Sequence, residues 1–157
     1  MPRSTRQRKT TGTRKGAARQ RSVGELMRHE FVTVSTDESL LEALRIMQLA
    51  RLRHLLVERN GALVGILSYR DLQNRTIEQL DRSSGPLEAS MHALTVEEAM
   101  MESPYVVSPD TPSQEAASRL CHLGIGCLPV VEERPEGPRL VGIITEVDLL
   151  RAAYDTH

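Results

Sequence analysis

The 157-residue chain contains no tryptophan, one phenylalanine and three tyrosines. With so little aromatic area available, its core has to be aliphatic. No apolar stretch of about 18 residues occurs, so nothing in it reads as a membrane span. Cysteine is nearly absent: Cys121 and Cys127 lie six apart beside His122. That spacing supplies too few ligands for a structural metal and no disulfide framework, so both are read as buried free thiols in a reducing cytoplasm. The five histidines (His29, His54, His92, His122, His157) are scattered, without i, i+4 metal spacing or a nucleophile–base pairing. Walker-type and dinucleotide-type glycine loops are missing as well. The expectation is a binding protein and not an enzyme, with no metal site and no required cofactor.

Acidic residues are missing from one region only. Residues 1–22 hold Arg3, Arg6, Arg8, Lys9, Arg14, Lys15, Arg19 and Arg21 and no Asp or Glu. The whole chain carries a net charge of −1, so residues 23–157 hold 12 basic against 21 acidic groups, a net of −9. A polar, aperiodic, basic arm is thus joined to an acidic body. The arm lacks the apolar run of a secretory signal and the amphipathic spacing of a transit peptide. Without aromatic residues it has no platform for stacking bases, but it could neutralise RNA or DNA phosphates. The alternatives are a solvated tail or one that docks on its own acidic body.

What the chain does have is internal repetition. Val23-Gly24-Glu25-Leu26-Met27 returns as Val96-Glu97-Glu98-Ala99-Met100, and Leu63-Val64-Gly65-Ile66-Leu67 returns as Leu140-Val141-Gly142-Ile143-Ile144. Matching positions are 73 residues apart early in the unit and 77 apart at its end, so the second copy has gained four residues in one hairpin. Such units rarely bury their apolar faces alone, and two side by side create a pseudo-twofold groove.

Each copy reads as β–α–β–β–α, an α/β (α+β) module in two halves. The organisation expected is a disordered arm over 1–22, a first copy over 23–80, a linker over 81–95 and a second copy over 96–157. In the first copy, Phe31 to Val34 reads as a strand, and Leu40, Leu41, Leu44, Ile46, Met47 and Leu49 form an apolar helical stripe. Asn60-Gly61 marks a two-residue hairpin turn. A helix runs from near Asp71 to about Leu80, and a short one covers Leu87 to Ala93. In the second copy, Thr111, Pro112 and Gln114 predict an N-cap, first helical position and third position of a capping box.

The chemistry-bearing motif closes each hairpin: Gly65-Ile66-Leu67-Ser68-Tyr69-Arg70-Asp71 and Gly142-Ile143-Ile144-Thr145-Glu146-Val147-Asp148. A hydroxyl residue followed three positions later by Asp is a helix capping box. The same geometry can also hold a nucleotide, with phosphate at the helix N-terminus and ribose hydroxyls on the Asp. Two instances in matched strand–turn–helix contexts favour the second use.

These residues, with the Val-x-x-x-Met openings, Val32-Thr33-Val34, Leu55-Leu56-Val57, Ser108-Pro109-Asp110-Thr111 and Leu128-Pro129-Val130-Val131, resemble a tandem pair of cystathionine β-synthase (CBS) domains, a Bateman module. The resemblance covers residue 23 to about 153. It implies a pseudo-symmetric unit that pairs into a homodimer and binds AMP, ADP or ATP in the clefts between repeats. Asp71 and Asp148 would hold ribose, and Ser68 and Thr145 would meet phosphate. The backbone near Thr33, Val106, Leu55 and Leu128 would read the adenine edge. Leu56 stands where the family usually has proline, and Val106 removes the hydroxyl that Thr33 supplies.

The clefts are not expected to be equal. Arg70 adjoins Asp71, with Arg51 and Arg53 entering the neighbouring strand, whereas Glu146 and Val147 adjoin Asp148, with Gly124 and Gly126 on the approach. Guanidinium groups favour phosphate and carboxylates repel it, so binding is expected at the Asp71 cleft. His54 abuts that cleft as a hydrogen-bonded strand histidine. The expected role is a cytoplasmic regulator that senses adenine nucleotides and reports through a partner. The alternative is a ribosome- or nucleic-acid-associated factor that inserts its arm into RNA.

Overall fold

A computed structural model describes residues 19–154. Its elements run α1 (Val23–Leu26), β1 (Thr33–Ser35), α2 (Leu40–Ala50), β2 (His54–Arg59), β3 (Ala62–Ser68), α3 (Tyr69–Arg82), α4 (Leu87–Ala93), a 3₁₀ turn (Val96–Glu98), β4 (Met101–Glu102), α5 (Ser113–Leu123), β5 (Cys127–Glu132), β6 (Arg139–Thr145) and α6 (Glu146–Tyr154). Among these residues no helix is long and apolar enough to cross a membrane.

The first sheet has the order β1-β2-β3-β4, with β1 parallel to β2 and the other pairs antiparallel. The second is the hairpin β5-β6, flanked by two single bridges: Val107 to Val130, parallel, and Arg28 to Ile143, antiparallel. Those bridges match β1 and β4, so the leading strand expected of the second copy shrinks to the single pair Val107 and Val130. Both hairpins carry a register shift at matching places, between Val57 and Glu58 and between Val130 and Val131. Asn60 and Gly61 have φ of 52° and 77°, the left-handed pair that a tight hairpin of this twist needs.

The halves exchange their leading segments. Val23 of α1 is buried with Val107, Leu120, Leu128, Val130 and Ile144 of the second copy. Val96 is buried with Val34, Leu40, Leu55 and Leu67 of the first. Leu56, Ile66, Cys127 and Ile143 form a third cluster between the two hairpins. Every one of these side chains is aliphatic or a thiol. Burying each leucine or isoleucine contributes about 1.5–3 kcal/mol, and neither half can complete that burial alone.

Three local expectations are corrected. Leu49 is 87% exposed, because α2 buries the face of Leu40, Ala43 and Met47 and Leu49 turns away from it. The capping box at Thr111 does not form: Thr111 Oγ1 accepts from the Ser108 N–H at 3.1 Å, and α5 starts at Ser113. The Ser113 N–H donates instead to the Arg21 carbonyl at 2.9 Å. Cys121 is exposed on α5, whereas Cys127 is buried.

Candidate functional site

The two hairpins bring the start of β2 against the start of α3, and the start of β5 against the start of α6. Each helix is capped by the last residue of its strand. Ser68 Oγ accepts from the Asp71 N–H at 3.0 Å and donates to Asp71 Oδ2 at 2.7 Å. Thr145 Oγ1 accepts from the Asp148 N–H at 3.3 Å and donates to Asp148 Oδ2 at 2.7 Å. The capping reading of the motif is thus realised twice. With its single proton given to Asp71, the Ser68 hydroxyl offers a phosphate no donor in this arrangement, and phosphate contact falls to other groups.

Between the two hairpins lies a cavity of about 1580 Å³. It exceeds the roughly 300–1,000 Å³ usual for small-molecule pockets and opens to solvent. Arg51, Arg53, His54, Ser68, Arg70 and Asp71 line it from the first copy, and Gly124, Gly126, Cys127, Glu146 and Tyr154 from the second. Gly124, Gly126 and Glu146, expected at the opposite cleft, therefore share one cavity with the arginines, because the pseudo-twofold axis passes through it. None of Arg51, Arg53 and Arg70 forms an ion pair with a described residue. Arg51 ends α2 in the left-handed region at φ 54°, the place where Gly124 ends α5 at φ 64°. A side chain in that region costs about 1–2 kcal/mol, and here it carries a guanidinium to the cavity wall.

His54 is half-buried against Gly126, where a Cβ would stand 3.0 Å from its Nε2. Burial holds the imidazole pKa below its ordinary value, against the opposing pull of Glu146 and Asp71. Cys127, opposite Thr145 in the ladder, has its thiol pushed up to about 12 by burial.

The other expected site residues lie outside the cavity. Thr33 opens β1 opposite Leu56, and Leu55 and Leu128 are fully buried with only backbone to offer. Val106 is exposed, and its carbonyl accepts from Arg119 at 3.3 Å. Thr145 and Asp148 do not line the cavity; Arg28, whose segment bridges the edge of β6 at Ile143, donates from Nε to Asp148 Oδ1 at 2.9 Å. Arg28 was not foreseen, although the 73-residue offset that aligns it with the neutral Met101 is visible in the sequence. Of the basic arm, Arg3, Arg6, Arg8, Lys9, Arg14 and Lys15 fall outside the described residues. Arg19 pairs with Glu25 at 3.1 Å, and Arg21 donates to the Ala152 carbonyl at the end of α6 at 3.1 Å. Both of these contacts are to the chain's own body.

Two β–α–β–β–α halves that trade leading segments around an axial cavity define a tandem-repeat module. The chain belongs to the CBS domain family, whose family model matches residues 23–77 and 96–155. A homoserine O-acetyltransferase from Methanococcoides burtonii is 30% identical over 83% of this chain and 24% of its own length. The solved structure of CBSX2 in complex with AMP is 30% identical, with a TM-score of 0.68 over 86% of this chain and 97% of that one. CBSX2 from Arabidopsis thaliana is 29% identical, with a TM-score of 0.69 over 87% and 96%. The chain spans between 22% and 44% of the length of the curated relatives it matches.

Proposed function

We propose that this chain is a regulatory module that binds an adenine nucleotide in the axial cavity and reports occupancy to a partner, leaving the ligand chemically unchanged. The observation that carries this reading is Asp71. Its Oδ2 is taken by Ser68, but no described residue donates to Oδ1, and the carboxylate lines a cavity that also holds three arginines without ion-pair partners. A carboxylate oxygen accepts from ribose hydroxyls, and unpaired guanidinium groups donate to phosphate oxygens in charge-assisted pairs. A ligand that carries both a ribose and phosphate groups matches both features. The AMP complex of CBSX2 supports the same ligand class.

In this arrangement the ribose sits on Asp71 and the phosphates turn inward toward Arg51, Arg53 and Arg70. His54 and Gly126 touch across the axis, so a ligand in the cavity meets both halves at once. Exposed apolar side chains on α2 and α3, Leu49 and Ile77, support pairing with a second copy, which sedimentation as a monomer at tens of micromolar would contradict. Calorimetry with AMP, ADP and ATP tests the nucleotide reading directly. Binding lost in Asp71→Ala is the expected result, and no heat with any of the three at millimolar ligand overturns the reading.

A further inference from the structure

Asp71 and Asp148 are twins by sequence, but their oxygens are spent differently. Asp148 Oδ2 accepts from both the Thr145 N–H at 3.0 Å and the Thr145 hydroxyl at 2.7 Å, and Oδ1 accepts from Arg28 Nε at 2.9 Å. Its side chain is only 8% exposed. The backbone that carries this guanidinium is held by main chain: the Arg28 N–H donates to the Ile143 carbonyl at 2.8 Å, and the Ile143 N–H returns to the Arg28 carbonyl at 3.0 Å. Gly142 lets this segment lie close, since a Cβ there would come within 2.7 Å of the Arg28 carbonyl oxygen. In the first copy the matching slot, opposite Ile66, is filled by Met101, which has no charge to offer.

We propose that Arg28 closes the second cleft, so that the module takes one nucleotide per chain, at Asp71, and its Asp148 site is kept shut by the chain's own guanidinium. The proposal builds on the nucleotide reading of the Asp71 cavity. A ribose brings Asp148 only neutral hydroxyl donors. Hydrogen bonds from a cation are roughly twice as strong as neutral ones, and Arg28 is tethered beside its acceptor at no cost in association. A ribose therefore does not displace it. Beside Asp148, Val147 stands at the position that Arg70 holds beside Asp71 and offers a phosphate no charge. One arginine thus decides how many ligands a two-site fold accepts.

The test is calorimetric titration with AMP and with ATP of the wild type, Arg28→Met and Arg28→Met/Asp148→Ala. Arg28→Met copies the residue of the open cleft. It is expected to bind one more nucleotide per chain than the wild type, and the double variant to lose that extra site. The gain decides this proposal, whereas the wild-type count decides the reading of Asp71. A wild type that binds none beside an Arg28→Met protein that binds one overturns the Asp71 reading and leaves the closure by Arg28 standing. No gain in a variant with wild-type melting and circular dichroism overturns the closure. So does an Asp148-dependent site in the wild type that weakens in Arg28→Met, because Arg28 would then be a ligand donor. Should Arg28→Met not fold, Arg28→Gln replaces it, and nitrogen-15 spectra give a second readout. The Arg28 Nε–H is expected to exchange slowly with water in the wild type and fast in Asp148→Asn, and equal rates in the two overturn the closure.

Discussion

His54 and Gly126 touch across the pseudo-twofold axis: the missing Cβ of one is the space taken by the imidazole of the other. A cation placed there would lose its hydration, and burial is the leading cause of the depressed imidazole pKa.

This fixes a sign for pH. A group whose folded pKa lies below its unfolded value binds fewer protons when folded, so stability rises with pH across that range. The contribution of neutral His54 is complete above its ordinary value of 6.5 and is lost as pH falls from there toward the depressed folded value. Urea denaturation between neutral and mildly acidic pH should show this decline, and His54→Gln should remove the part due to this residue. An unchanged profile would place the pH dependence elsewhere.

The twin aspartates should separate affinity from stability. Asp71→Ala removes a hydrogen-bonded carboxylate from the proposed ligand site, about 1.5–3 kcal/mol, and should weaken nucleotide binding roughly ten- to a hundredfold. Asp148→Ala should leave that affinity alone and lower folding stability instead. It removes a cap and strands Arg28, together about 1–3 kcal/mol. Calorimetry paired with urea melts distinguishes the two, and equal affinity losses would refute the assignment.

Arg51→Gly should cost function without costing fold. Glycine takes a left-handed φ freely, as Gly124 does at the matching helix end, so stability should hold or rise by up to about 1 kcal/mol. Nucleotide affinity should fall by about 1.5 kcal/mol or more if the guanidinium meets phosphate, with a larger loss for ATP than for AMP. A stability loss with unchanged affinity would make Arg51 a structural cap only.

The two thiols should react unequally. A disulfide reagent such as DTNB should titrate one thiol per native chain, at exposed Cys121, and two after denaturation. The Cys127 thiol, with its pKa pushed to about 12, has almost no thiolate at neutral pH. Cys121→Ser should abolish the native reaction.

The repeat made much of this architecture legible. Hairpins, the Asn60-Gly61 turn and the two strand–helix junctions follow from local pattern and turn chemistry, and those junctions hold Ser68, Asp71, Thr145 and Asp148. Local pattern fails where a group's partner is remote. Thr111 reads as a cap until the Arg21 carbonyl, far away in sequence, claims the first N–H of α5. Leu49 belongs to an apolar stripe by spacing but falls outside the buried face that Leu40, Ala43 and Met47 share. Arg28 lies 120 residues from Asp148, and no periodicity connects them. Nor does spacing reveal that Glu146 shares a cavity with Arg70, since the axis that joins them belongs to the assembled pair and to neither copy.

The exchange of leading segments also sets an order in time. Chains are made from the N-terminus, so α1 leaves the ribosome long before β6, the strand that Arg28 bridges and whose Ile144 helps bury Val23. During synthesis the first helix has no seat, and its short apolar face waits in solvent while the first sheet waits in turn for Val96 and Met101. The earliest residues of the body are among the last to find their place, and a chain halted before Ile144 leaves both its beginning and its end unanchored.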